Sequence, residues 1–329
     1  MTGLGGSTPT AAEMGAEGRE REVARLKSPE IDRVRALARR CTTPMATGGE
    51  IVWHVWGEAR AGEPPLVLLH GGSGSWTHWV RNIESLAATG RRVWLPDLPG
   101  FGDSAAPDGS DADALVAPMA EGLRTLFGEQ TVDLVGFSFG GLTAGLTLAA
   151  HPALARQVVL VGAPGLGVGP EQPVRLKGWR HLPPQQQLDV HRYNLGALML
   201  CDARLIEGLA LQVHTANVVR DRLPRRRLAS TDILRRTLPA VRCPVHVIYG
   251  EADALYQGQI GSLEGVYRAA TPDFRGLQLV AGAGHWVQFE APAAFQDALL
   301  AALRDGARPL TDVGSVPRTE PSRAQGAAG

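Results

Sequence analysis

The sequence predicts an α/β fold, a mostly parallel sheet with helices on both faces. Three observations predict it. Short apolar runs alternate with helix-length segments before residue 164 and again after residue 240. A Gly-x-Ser-x-Gly stretch, Gly136-Phe137-Ser138-Phe139-Gly140, falls between one such run and a helical segment. Several runs end in glycine-rich or acidic loops, as at the sheet edge where open α/β folds gather their ligands. Strands buried on both faces read as unbroken apolar runs, and helical crossovers between them make the sheet parallel.

Residues 1–30 are rich in Gly, Ala, Glu and Arg, with few large apolar side chains, and are expected to be mostly disordered. Ile31, Val34, Leu37 and Ala38 recur at helical spacing, which predicts a short amphipathic helix over 31–41. Ile51–Trp56 alternates as a strand, and Leu66–Leu69 is a strand that enters the loop His70-Gly71-Gly72-Ser73-Gly74. A helix is predicted over 79–88 and a strand over Val93–Leu95, ending at Pro96-Asp97. Residues 112–127 read as a helix, Val132–Val135 as a strand, Leu142–Ala150 as a helix closed by His151-Pro152, and Val158–Val161 as a strand. The rhythm resumes with Val245–Tyr249, a helix near 259–269, Leu277–Val280 and a helix over Ala293–Leu303. Between the two blocks, residues 164–240 hold helical stretches such as Leu205–Val213 and many prolines, but no strand–helix rhythm. The division that follows is an N-terminal extension over 1–47, a core of 48–163 and 241–306, a helical insertion over 164–240, and a polar, disordered tail over 307–329. No internal repeat is visible.

The 329 residues carry 33 basic and 33 acidic side chains. That balance gives no electrostatic reason to expect nucleic acid or a membrane surface as partner. No apolar run is long enough to span a bilayer, and no basic segment followed by an apolar one marks a secretory signal, so a cytoplasmic protein is expected. Cys41, Cys201 and Cys243 are too far apart for a metal site or a disulfide framework, and neither metal nor cofactor is expected. Cys243, beside Pro244 at a strand entry, reads as a buried, inert thiol. Charge is unevenly spread: from Glu171 to Ala240 there are twelve Arg or Lys against six acids. These are solvated helix faces or a lid that favours an anionic small molecule. A homo-oligomer is left open.

Ser138 is the candidate nucleophile. A sharp strand-to-helix turn presents its Oγ at the C-terminal edge of the sheet, at a helix N-terminus that favours a developing anion, and only small residues fit two positions away. A serine hydroxyl needs a base. Of nine histidines, His285 follows a strand through Ala281-Gly282-Ala283-Gly284 and so reaches that edge. The base needs a carboxylate to fix its tautomer. Asp253 follows the Val245–Tyr249 strand, with Glu251 as the local rival, and the loop Gly162-Ala163-Pro164-Gly165 after Val158–Val161 offers no acid. The oxyanion needs two backbone N–H donors: Phe139, and Gly72 with Ser73 as rival. His70 reads as a brace of that loop. Ser73, His78, Trp79 and Trp286 are candidates to line the substrate pocket, although the aromatic ones equally suit packing. Asp97 and Asp103 read as a structural turn.

These landmarks together resemble the α/β-hydrolase superfamily. His70-Gly71-Gly72, Asp97-Leu98-Pro99-Gly100-Phe101-Gly102-Asp103-Ser104, Gly136–Gly141, Gly250–Asp253 and Gly284-His285-Trp286 occur in its order, over about residues 48–304. The resemblance implies an eight-stranded sheet, with residues 164–240 as a cap over a Ser138-His285-Asp253 triad. Trp79-Val80-Arg81-Asn82-Ile83 and Gly284–Glu290 are similar to hydrolases that cleave carbon–carbon bonds of aromatic ring-fission products. That likeness implies a cofactor-free serine hydrolase acting on a vinylogous diketone acid or an ester. A carboxylesterase or lactonase, an acyltransferase with the same triad, and a non-catalytic small-molecule receptor remain as alternatives.

Overall fold

A computed structural model describes residues 28–305. The expected disorder of residues 1–27 and of the tail from 307 lies outside the described residues. In chain order the elements are α1 (Pro29–Ala36), β1 (Arg39–Pro44), β2 (Glu50–Trp56), β3 (Leu66–Leu69), α2 (Ile83–Ala87), β4 (Val93–Pro96), α3 (Val116–Phe127), β5 (Val132–Phe137), α4 (Phe139–Ala150) and β6 (Ala155–Val161). There follow α5 (Pro184–Asn194), α6 (Leu211–Val218), α7 (Ile233–Thr237), β7 (Val245–Gly250), α8 (Leu263–Ala270), β8 (Phe274–Val280), α9 (Val287–Glu290) and α10 (Pro292–Asp305).

The strands form one eight-stranded sheet in the order β1-β2-β4-β3-β5-β6-β7-β8. β2 runs antiparallel to both its neighbours and the remaining pairs are parallel. Successive side chains of a strand point to opposite faces, so each inner strand feeds two cores. Val67, Leu69, Leu134, Leu160 and Val247 meet Met119 and Leu123 of α3, Leu142 of α4 and Tyr267 of α8. Leu66, Leu68, Val135, Val159 and Ile248 meet Ile83 and Leu86 of α2 and Phe295 and Leu299 of α10. Helices therefore cover both faces, as the apolar runs predict.

The pairing Leu69↔Gly136, Phe137↔Val161 and Gly250↔Val280 brings strand C-termini level at one edge. The loops that carry Gly72, Ser138, Asp253 and His285 all leave from that edge.

Three local expectations change. The predicted 31–41 helix stops at Ala36, and residues 39–44, assigned by sequence to an extension, are β1, paired with β2. Its residues Arg-Arg-Cys-Thr-Thr-Pro lack apolar alternation because this strand lies at the sheet edge. The helix predicted over 79–88 is a single tight turn at Trp76–Trp79 followed by α2. The helix predicted over Leu205–Val213 breaks at Glu207 and at Gly208, whose φ is 66, so regular helix spans only α6. Within the described residues no helix is long and apolar enough to cross a membrane.

Candidate active site

At the end of β5 the chain reverses into α4 through Ser138, whose φ of 51 and ψ of −119 few non-glycine residues adopt. The Ser138 N–H donates to Val161 O at 2.7 Å, and Ser138 O accepts from Gly141 N at 2.8 Å and Leu142 N at 3.1 Å. The turn folds backbone onto backbone. A Cβ on Gly136 would stand 2.5 Å from Gly140 O and 2.6 Å from Gly141 Cα. That close approach is the physical reason for glycine two positions before the serine.

Ser138 Oγ lies 2.9 Å from His285 Nε2. His285 Nδ1 lies 3.0 and 2.9 Å from the two oxygens of Asp253. Both His285 and Asp253 are almost wholly buried. With Nδ1–H donating to the carboxylate, Nε2 carries the lone pair that faces the serine hydroxyl. Asp253 Oδ1 also accepts Leu255 N–H at 2.9 Å, which fixes the carboxylate. Glu251, the rival acid, is exposed and makes no contact with the imidazole among the described residues. A Cβ on Gly162, at the end of β6, would come within 3.2 Å of His285 Cε1. No carboxylate could stand there without crowding the ring.

The loop after β3 lies against the serine. A Cβ on Gly71 would be 3.2 Å from Ser138 Cβ, and one on Gly72 would be 3.6 Å from Phe139 Cβ. Neither Gly72 N–H nor Phe139 N–H donates to a protein acceptor within the described residues. His70 braces the loop. Its Nε2 accepts Leu98 N–H at 2.8 Å, so Nδ1 donates to Gly71 O at 2.7 Å, and burial lowers its pKa. Ser73, also at positive φ (50), donates from Oγ to Asp221 Oδ2 at 2.5 Å.

The four pocket candidates separate. Ser73 is half-buried. His78 accepts Gly71 N–H on Nδ1 at 3.2 Å, and burial drives its pKa well down. Trp79, with no exposed surface, is enclosed beside Phe137 and Phe295. Trp286 is equally enclosed and donates its indole N–H to His78 O at 2.9 Å. Trp79 and Trp286 pack in the core cluster beneath the loops and carry no open surface in this structure.

Sequence reasoning missed two groups. Glu290 accepts from Gly284 N and from Asp202 N, and Asp221 pairs with Arg226 beside Gly72. The first lies inside a quoted stretch, Gly284–Glu290. The second depends on the contact of Asp221 with Ser73, 148 positions away in sequence, and leaves no local signal. His54, Asp97 and Asp103 bring ligand atoms within 4.8 Å of one another. However, Asp97 already accepts Trp76 N–H and Asp103 N–H, at 2.9 and 2.8 Å, and Asp103 is paired with Arg220. The group closes a turn, as the sequence predicts for the two aspartates.

A family model described as the alpha/beta hydrolase family matches residues 66–298. A 2-hydroxy-6-oxononadienedioate/2-hydroxy-6-oxononatrienedioate hydrolase of Paraburkholderia phymatum is 31% identical over 272 residues, covering 77% of this chain and 91% of that one. A 2-hydroxy-6-oxo-6-phenylhexa-2,4-dienoate hydrolase of Burkholderia cepacia is 31% identical over 260 residues, covering 73% and 88%. Among solved structures, a carboxylesterase of Bacillus subtilis superposes with TM-score 0.68 at 18% identity, covering 88% of this chain and 98% of that one. A serine hydrolase involved in carbazole degradation superposes with TM-score 0.63 at 22% identity, covering 81% and 99%. These two structures show a shared fold.

Proposed function

The chain belongs to the alpha/beta hydrolase family, and we propose that it is a cofactor-free serine hydrolase that cleaves the carbon–carbon bond beside the ketone of a vinylogous diketone acid, the 2-hydroxy-6-oxo-dienoate class. The carrying observation is the single imidazole that bridges Ser138 Oγ and the Asp253 carboxylate. The substrate class is supported by relatives 31% identical over about nine-tenths of their own length.

In this reading the dienol first ketonises, its hydroxyl proton passing to the carbon next to the ketone. His285 Nε2 takes the Ser138 proton as Oγ adds to the ketone carbonyl. The Gly72 and Phe139 N–H groups hold the resulting oxyanion. Collapse breaks the carbon–carbon bond, and the released electron pair is held as an enolate until His285 returns the proton. Water, deprotonated by His285, then attacks the acyl-Ser138 ester and frees the second acid. Asp253 holds the imidazole orientation throughout. Residues 164–240 act as the cap over this edge, and their excess of basic side chains suits an acid.

The test is turnover by purified protein of a dienoate ring-fission product, followed by loss of its long-wavelength absorbance, beside an aryl ester. The expected result is dienoate turnover that Ser138→Ala lowers by at least about a thousandfold. Turnover of the ester alone makes the protein an esterase and overturns the substrate class. Undiminished turnover by Ser138→Ala overturns the nucleophile.

A further inference from the structure

The chain between α6 and α7, part of the insertion, is sewn onto the core loops over residues 100–111. Arg222 N donates to Gly100 O at 2.8 Å and Arg225 N to Ser110 O at 3.0 Å. Arg227 N and Leu228 N donate to Asp111 Oδ2 at 2.6 and 3.3 Å. The backbone on both sides of Arg226 is thereby fixed. Its guanidinium lies over two aromatic rings, 5.3 Å from the Phe101 centroid and 5.8 Å from that of Phe139. Nη2 pairs with Asp221, and the same carboxylate oxygen accepts Ser73 Oγ–H.

The remaining feature is Nε. It is sealed from solvent and has no hydrogen-bond partner among the described residues. A buried N–H left without an acceptor forfeits the hydrogen bond it would make in water, so such a group asks for a ligand. Its neighbours say which. A Cβ on Gly72 would stand 2.9 Å from Arg226 Nε and 3.6 Å from Phe139 Cβ. Nε thus lies against the two residues whose amides the preceding reading assigns to the oxyanion. Nη2, which shares an edge of the guanidinium with Nε, is already held by Asp221. A carboxylate gripped by both donors of that edge would have to displace Asp221, whereas a single oxygen needs only Nε.

We propose that Arg226 is a third donor at the oxyanion site, its Nε–H meeting the charge that develops on the substrate carbonyl oxygen beside the Gly72 and Phe139 amides. This rests on the serine-hydrolase reading above. Asp221 and Ser73 are positioning residues that hold the guanidinium over the site. The donor comes from the insertion and the amides from the core, so the oxyanion site is complete only when the two are docked.

The experiment compares wild type with Arg226→Met, which removes the donor and keeps the length, and Arg226→Lys, which keeps the charge without Nε–H. Both are assayed on a neutral aryl ester and on the acidic dienoate, and for affinity toward a trifluoromethyl ketone, which Ser138 captures as a tetrahedral oxyanion. Arg226→Met is expected to lower kcat on both substrates by about a hundredfold with KM nearly unchanged. Ketone affinity is expected to fall in parallel, and Arg226→Lys to recover only part of either. A rise in KM confined to the acidic substrate would identify a carboxylate clamp and overturn the proposal. A lower melting temperature with unchanged ketone affinity would make Arg226 a brace and overturn it too. If Arg226→Met does not fold, Arg226→Lys alone decides by the same readouts. Retention of turnover by Ser138→Ala would sink the underlying reading instead, so the two failures are distinguishable.

Discussion

The Glu290 carboxylate accepts Asp202 N–H at 2.6 Å through one oxygen and, through the other, Gly284 N–H at 2.6 Å. Gly284 precedes the imidazole that faces Ser138, and Asp202 belongs to the segment between β6 and β7. Met199 O, from that same segment, accepts Trp286 N–H at 2.8 Å. The loop carrying His285 is therefore held on both sides by the insertion.

Glu290→Gln should loosen that link. Glutamine offers one acceptor oxygen and turns an NH2 toward the other N–H. Stability is expected to fall by about 1–3 kcal/mol in urea unfolding. Turnover should fall with it, because His285 loses its fixed position. Full turnover together with lowered stability would show that the imidazole does not depend on this carboxylate.

Asp253→Asn keeps the shape of the side chain but reverses the donor logic at Nδ1 and favours the wrong tautomer. A fall in kcat of about 10⁴-fold with little change in thermal stability is expected. Glu251→Gln, altering an exposed side chain, should leave kcat unchanged. Steady-state kinetics on both variants check the assignment, and equal losses would undo it.

Gly136→Ala places a methyl group against the backbone of Gly140 and Gly141, neither of which can yield as a side chain would. A loss of about 3 kcal/mol is expected from overpacking, with Ser138 displaced. Calorimetry and reaction with a fluorophosphonate probe read the two effects separately. A stable variant with normal labelling would mean that the turn can relax.

His191 and His214 stack edge to face at 5.1 Å in the insertion. Burial lowers the pKa of His191 to about 4. Burial, and then the neighbouring His191, lower that of His214 to about 3. In the unfolded chain both take up a proton near the ordinary histidine value of about 6.5. The unfolded state therefore binds more protons below that pH. The stability associated with the neutral pair is fully present above about 6.5 and is lost as pH falls toward 4 and then 3. Urea unfolding across pH 7 to 4 should show His214→Phe with a shallower loss, by about one proton, than wild type. An unchanged slope would mean that His214 titrates alike in both states.

The legible parts of this molecule were those written locally. The Gly136–Gly141 turn, the acid after Val245–Tyr249 and the His285 loop each announce themselves within a few residues, because strand, tight turn and helix must follow one another there. β1 was not legible, since an edge strand with charged and polar residues carries no apolar period. Trp79 and Trp286 could not be assigned to pocket or core from sequence, as the same ring suits both. Arg226 was one of twelve basic residues in its segment, and only the folded chain sets its Nε beside Gly72.

β1 has a further consequence, for how molecules of this protein meet one another. A sheet edge is a template on which another chain can add a strand. The outer strand here exposes Arg39 and Arg40 and ends in Pro44, which has no N–H to donate. An incoming strand would have to strip water from two guanidinium groups and would still miss a ladder bond. The residues that hid this strand from a pattern search are thus the ones that guard this edge of the sheet. Deleting the chain through Pro44 would uncover β2, whose Ile51, Val52, Trp53 and Val55 are almost wholly buried, as the new and far stickier edge.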